Sequence, residues 1–184
     1  MSLKNSDLQY YDGNILRLSS EKRKEYHAQV DNLIAELRKH ITVNSDLKVK
    51  KVVKAGSFAK FTILKKTAED DIDVDVVFYI DGKNIDNTTL DNLNDLIYSL
   101  LTKIYPTKAV EDFEIQRRAA TVTFVKSGIS VDIVPVIQDE SNPNHGWQYD
   151  LKSKERNLTC APCHIQFIRD RKNSDKHYRT LVRM

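Results

Sequence analysis

The chain has 184 residues, of which 40% are apolar and 30% charged, with 29 Lys+Arg against 26 Asp+Glu and a net charge of +3. That fits one domain with its own core and excludes collagenous or wholly disordered chains. No apolar run approaches the ~18 residues of a membrane span, and the polar opening Met1-Ser2-Leu3-Lys4-Asn5-Ser6 is no signal peptide. A soluble, cytoplasmic domain is what remains.

The charge is segregated. Residues 1–54 carry 11 basic and 7 acidic side chains, residues 55–149 carry 9 and 15, and residues 150–184 carry 9 and 4. An acidic middle between basic flanks suits a metal site inside a pocket for polyanions, although scatter over a solvated surface gives the same totals.

Along the chain, Ser19-Ser20 before Glu21 reads as a helix start. Tyr26, Val30, Leu33, Ile34, Leu37 and Ile41 then form one apolar face at helical spacing. Val53-Lys54-Ala55-Gly56-Ser57-Phe58-Ala59-Lys60 places Gly-Ser after a short β-type run, where it would open a short helix. Ile72 to Ile80 is dense in β-branched and aromatic residues and closes at Asp81-Gly82, a strand and then a turn. A second amphipathic helix follows Asn87-Thr88, with Leu90, Leu93, Ile97, Leu100, Leu101 and Ile104 on its face and Pro106 as its stop. Phe113–Val125 and Ile129–Ile137 read as two strands joined at Ser127-Gly128 in an antiparallel hairpin. Residues 138–160 look polar and irregular. Helical patterns resume over Pro162–Arg171 and again after Ser174, a candidate N-cap, through Tyr178, Leu181 and Val182. The pattern is still running at Met184, which suggests a truncated helical portion.

The chemistry concentrates in the carboxylates. Residues 69–75 read Glu-Asp-Asp-Ile-Asp-Val-Asp, five acids in seven positions. On a strand Asp71, Asp73 and Asp75 project together, while Ile72, Val74 and Val76 face the other way. Such like charges raise one another's pKa, and a divalent cation with a taste for hard oxygen, Mg²⁺ or Mn²⁺, resolves the conflict. Asp132 is a single acid in the apolar run Val131-Asp132-Ile133, costly to bury unless paired or metal-bound. Beside the first strand it would join Asp73 and Asp75 around two cations, the arrangement for in-line phosphoryl or nucleotidyl transfer. Gly56 lets backbone approach a ligand, and Ser57 adds a hydroxyl suited to phosphate.

As a set, Ala55-Gly56-Ser57, Asp73-Val74-Asp75 and Val131-Asp132-Ile133 resemble the nucleotidyltransferase superfamily that includes DNA polymerase β. Within it the chain is most similar to the branch of oligoadenylate synthases, cyclic GMP-AMP synthase and the bacterial cyclic-dinucleotide and oligonucleotide synthases of phage defence. Gly56-Ser57-Phe58-Ala59-Lys60-Phe61-Thr62 resembles that branch's opening motif, and His177–Arg183 looks like the start of the helix from its second lobe. Fifteen residues separate Ser57 from Asp73 and 13 separate it from Asp71, so the pair could instead be Asp71/Asp73. Asp73/Asp75 is preferred because Val76–Ile80 then completes the strand.

The resemblance implies an α+β nucleotidyltransferase fold, a mixed or antiparallel sheet backed by helices. Residues 1–140 would form the catalytic core with its long N-terminal helix, and 141–184 a linker and the beginning of a C-terminal helical lobe. It implies that Gly56 and Ser57 hold the β- and γ-phosphates of ATP, GTP or another NTP. Asp73 and Asp75 would bridge two Mg²⁺ or Mn²⁺ ions, and Asp132 would bind the one beside the attacking ribose hydroxyl. Lys60, with Lys65 and Lys66, would offset phosphate charge. The family's triphosphate-contacting lysine would fall past Met184. The expected product is a cyclic or linear di- or oligonucleotide second messenger. The alternatives are transfer to another acceptor (a tRNA 3′ end, an antibiotic or a protein) and a degenerate nucleotide-binding sensor. Glu21-Lys22-Arg23-Lys24 reads as a solvated helix face rather than a patch for a nucleic-acid activator, although long basic helices in animal relatives sense double-stranded nucleic acid.

Cys160-Ala161-Pro162-Cys163-His164 spells the haem c attachment pattern, but attachment needs export, of which the sequence carries no sign. Zinc held by Cys160, Cys163, His164 and His145 is a second reading; packing of both cysteines as small apolar groups after a Pro162 helix start is the plainer one. Trp147 and Tyr149 could stack on a base, or simply pack.

Overall fold

The computed structural model describes residues 4–65, 71–82 and 92–184. Asn87-Thr88, Leu90, Lys66, Glu69 and Asp70 therefore lie outside the described residues. Helix α1 (Asn5–Tyr11) runs into a π-helical turn at Asp12–Leu16. Helix α2 (Ser20–Asn44) starts where Ser19 Oγ accepts the Lys22 N–H at 3.2 Å. Its Tyr26, Val30, Leu33, Leu37 and Ile41 are buried, as the spacing predicts.

Among the described residues seven strands form one sheet: β1 (Val49–Lys54), β2 (Ile72–Ile80), β3 (Phe113–Ile115), β4 (Ala120–Phe124), β5 (Ile129–Gln138), β6 (Gly146–Asp150) and β7 (Glu155–Thr159). Its main path is β1-β2-β5-β4-β3, with β2 and β5 parallel and central and the other pairs antiparallel. Helix α3 (Gly56–Lys60) links β1 towards β2, and α4 (Leu93–Ile104) follows β2. Alternation on β2 sorts the molecule into two faces. Ile72, Val74, Val76 and Phe78 pack with α2 and α4 in the main core, whereas Val77 and Tyr79 join Ala55, Val136 and Ala161 in a smaller cluster. Asp73 and Asp75 share that second face. The buried Tyr26 hydroxyl donates to the Ser127 carbonyl at 2.9 Å, tying α2 to the β4–β5 turn.

Three expectations change. The run Phe113–Val125 is two strands, because Gln116 N–H closes a turn onto the Ala119 carbonyl at 2.8 Å. Arg117 and Arg118 in that turn both bind Asp150, which is fully buried, at 2.7 and 2.8 Å. Residues 138–160 are not irregular. They contain the β6–β7 hairpin, which extends the sheet past residue 140 along the edge of β5 that β4 leaves free. Polar side chains on an edge hairpin hide the alternation there. Finally, Ser174 does not start a helix. It ends α5 (Ala161–Ser174), with its hydroxyl on the Asp170 carbonyl at 3.1 Å, and α6 (Tyr178–Arg183) begins after His177.

Gly146 sets how closely β6 approaches, since a Cβ there would lie 2.6 Å from Val136 Cγ2 and 3.1 Å from the Tyr79 ring. Gly146→Ala is expected to cost about 1–3 kcal/mol through overpacking, read as a lower denaturation midpoint in urea. Adding Val136→Ala should restore part of that loss.

Candidate active site

The parallel register sets Asp73 opposite Ser130 and Asp75 opposite Asp132. Residues in register on neighbouring strands project from the same face, roughly 4.8 Å apart, so Asp75 and Asp132 stand side by side, both half-buried. Asp73 is exposed on the rim and Asp71 is half-buried just before β2. Burial raises the pKa of Asp75 most, and the Asp73 charge adds to it, while Lys60 opposes. Burial likewise leads the upward shift at Asp132, with the Asp75 and Glu114 charges adding and the Thr121 hydroxyl opposing. That hydroxyl donates to Asp132 Oδ1 at 2.6 Å.

Helix α3 is braced on this pair. Ala55 N–H donates to the Asp75 carbonyl at 2.7 Å, and Thr62 N–H to the Ser57 carbonyl at 3.0 Å. Gly56 has φ +61°, and a Cβ on it would come within 1.7 Å of Asp75 Oδ2. Only glycine meets both conditions. Ser57 is exposed beside it. Gly56, Lys60 and Asp75 line a cleft of about 210 Å³ together with Gln148, Thr159 and His164.

Lys65, Trp147 and Tyr149 sit elsewhere. Lys65 donates its ammonium to the Asn14 carbonyl, and Lys66 lies outside the described residues. Trp147 and Tyr149 line a small hollow with Leu93, Asn94 and Pro135, not the cleft. Cys160 and Cys163 are joined as a disulfide at the start of α5; Cys160 is buried whereas Cys163 is exposed, so only the first packs as a small apolar group. Of the histidines considered with them, His145 reaches the sulfurs and His164 faces the cleft. Sequence reasoning missed Thr121 and Glu114 beside Asp132, and Gln148, Thr159 and His164 in the cleft. Thr121 was within reach: counting back from the Ser127-Gly128 turn pairs Phe124 with Ile129 and hence Thr121 with Asp132.

The profile of the Second Messenger Oligonucleotide or Dinucleotide Synthetase domain matches residues 1–171. The chain belongs to this family. It is 52% identical over 184 residues to the CBASS oligonucleotide cyclase CdnC of Escherichia coli strain KTE188, covering all of this chain and 59% of that one. It is 31% identical over 173 residues to the cyclic AMP-AMP-AMP synthase of E. coli strain MS 115-1, covering 92% of this chain and 51% of the relative. The structure of E. coli MS115-1 CdnC with ATP superposes with a TM-score of 0.75 at 27% identity, over 98% of this chain and 56% of that one. The chain thus spans just over half the length of the relatives it matches. The family's nucleotidyltransferase fold is the α+β architecture described above. Among the described residues no helix is long and apolar enough to cross a membrane.

The raised carboxyl pKa values have a consequence for stability. A carboxyl whose folded pKa lies above its unfolded value, about 3.9, binds more protons in the native state. Its contribution therefore declines as pH rises from the unfolded to the folded pKa. In chelator, Asp75→Asn should raise the melting temperature at pH 7, and the gain should vanish as the pH is lowered below that window. Gly56→Ala should do the opposite, costing about 1–3 kcal/mol at any pH because both the positive φ and Asp75 reject the methyl group.

Proposed function

We propose that this chain is the catalytic nucleotidyltransferase domain of a synthase that makes a cyclic or linear di- or oligonucleotide second messenger from NTPs, in bacterial anti-phage signalling. The observation that carries the proposal is the in-register pairing of Asp75 with Asp132 on parallel strands, with Gly56 backbone against Asp75. The relatives named above support the product class, and the ATP complex of E. coli CdnC supports ATP as one substrate.

Asp73, Asp75 and Asp132 are hard oxygen donors, and two of them are desolvated, so the set fits divalent cations. Two Mg²⁺ or Mn²⁺ ions held there would lower the pKa of the attacking ribose hydroxyl and would offset charge on the leaving pyrophosphate. The chain's own part is positional. Gly56 and Ser57 bind the β- and γ-phosphates, and Lys60 adds counter-charge at the same mouth. Thr121 fixes the rotamer of Asp132 beside the attacking hydroxyl. Transfer forms one phosphodiester bond at the α-phosphorus and breaks the α–β anhydride in line. The residues 1–140 form the core of this machinery in the proposal, with 141–184 leading into a helical lobe.

Labelled ATP and GTP incubated with Mg²⁺ or Mn²⁺ are expected to yield a small phosphatase-resistant product with no other acceptor present. Asp73→Asn/Asp75→Asn should lower conversion by more than about 100-fold, the upper cost of altering mere supporting residues. The same variant should lose the heat of Mn²⁺–ATP binding in titration calorimetry. Undiminished product from the double variant excludes this assignment of the acids. Product that forms only with an added acceptor excludes the second-messenger reading.

A further inference from the structure

We propose that the reduced chain binds one zinc ion through Cys160, Cys163 and His145, a site separate from the carboxylates. The donor atoms of these three residues all lie within 4.8 Å of one another. They come from two elements: the cysteines flank the first turn of α5, whereas His145 precedes β6. The histidine's backbone is fixed there, its N–H on the Asn142 carbonyl at 2.9 Å and its carbonyl accepting from Asp139 N–H at 3.1 Å. A disulfide between neighbours in one helical turn does not require this third donor.

The chemistry of the set is that of zinc. Two sulfurs and one imidazole nitrogen are borderline-soft ligands, and three protein ligands with water in the fourth place is a known tetrahedral arrangement. Cys163 N–H donates to Cys160 Sγ at 3.1 Å, which favours a thiolate there. Zinc–sulfur and zinc–nitrogen bonds of about 2.3 and 2.0 Å separate tetrahedral donors by about 3.5–3.8 Å. Opening the disulfide and a small turn of His145 reach that spacing. Cys163 is exposed, giving the ion an entry path.

The disulfide and the zinc site are thus two states of one pair. A dithiol reductant supplies two electrons and two protons to the disulfide and is itself oxidised to a disulfide. Zinc then displaces the two thiol protons. The bound ion would join the approach to β6 to the start of α5, whose Ala161 and His164 line the cleft with Asp75.

The test is zinc stoichiometry after reduction, loading and desalting of the 184-residue chain. About one ion per chain is expected, retained by Asp73→Asn/Asp75→Asn and absent from Cys160→Ser/Cys163→Ser. His145→Ala should weaken binding at least about tenfold. Cobalt on the wild-type chain should give thiolate charge-transfer absorption, a readout that needs no variant to fold. No zinc on the reduced wild type, zinc kept by the cysteine variant, or unchanged affinity in His145→Ala would overturn the proposal. Because nucleotide turnover is not measured, these outcomes are independent of the proposed catalytic function.

Discussion

Asp75 and Asp132 are held against each other on adjacent parallel strands, and much of the fold serves to make that possible. At strand separation and an effective dielectric near 20, two such charges repel by roughly 3 kcal/mol. The opposing force lies on the other face of the same strands. Ile72, Val74, Val76 and Phe78 of β2, with Ile129, Val131 and Ile133 of β5, are buried against α2 and α4. Each such side chain contributes about 1.5–3 kcal/mol when removed from water. Burial on the helix face therefore outweighs repulsion on the cleft face several times over. Alternation along β2 and β5 is what keeps the two effects on separate sides.

The brace around α3 couples this pair to both ends of the chain. Phe61 caps α3 in the left-handed region, and its carbonyl accepts from Arg183 Nη1 at 2.7 Å. Arg183 also meets Asp12 through two hydrogen bonds, and Arg17 and Thr180 complete the carboxylate's shell. The turn that ends the Gly56-Ser57 helix is therefore held by a residue of α6, which is in turn held by the turn after α1. Breaking a buried pair of this kind costs about 3–5 kcal/mol, so the position of α3 is not a local matter.

The parts of this design that were readable from sequence are those that repeat at a fixed period. The face of α2, the strand Ile72–Ile80 and the hairpin at Ser127-Gly128 followed from spacing alone, and the resemblance added the pairing of that strand with Asp132. The misses have a common cause. Arg117-Arg118 break a β run because of a partner, Asp150, some 30 residues away. Gly146 admits β6 because of Val136 and Tyr79 beneath it. Both depend on tertiary neighbours that no local window contains. Lys65 was grouped with Lys60 by proximity in sequence, yet its ammonium turns back to Asn14. The cysteine cluster was visible as spacing, but which histidine joins it depends on where β6 begins.

A comparison among the protected carboxylates separates support from chemistry. Asp12 and Asp150 are each buried against two arginines, and those guanidiniums hold both pKa values well below the usual carboxylate range. Their charges are satisfied, and they act as rivets between distant segments. Asp75 and Asp132 have no arginine against them among the described residues, and their pKa values move the other way. Gln148 and His164 line the cleft where an arginine does not stand. A protein that only needed to bury these acids would have paired them as it pairs Asp12. Among the described residues Lys60 is the only lysine or arginine lining the cleft, next to a glycine pressed on Asp75, and in the proposed function the carboxylates would meet a cation brought in with the nucleotide. On that proposal the unmatched charge costs stability when the site is bare and would provide the affinity when metal and triphosphate arrive together.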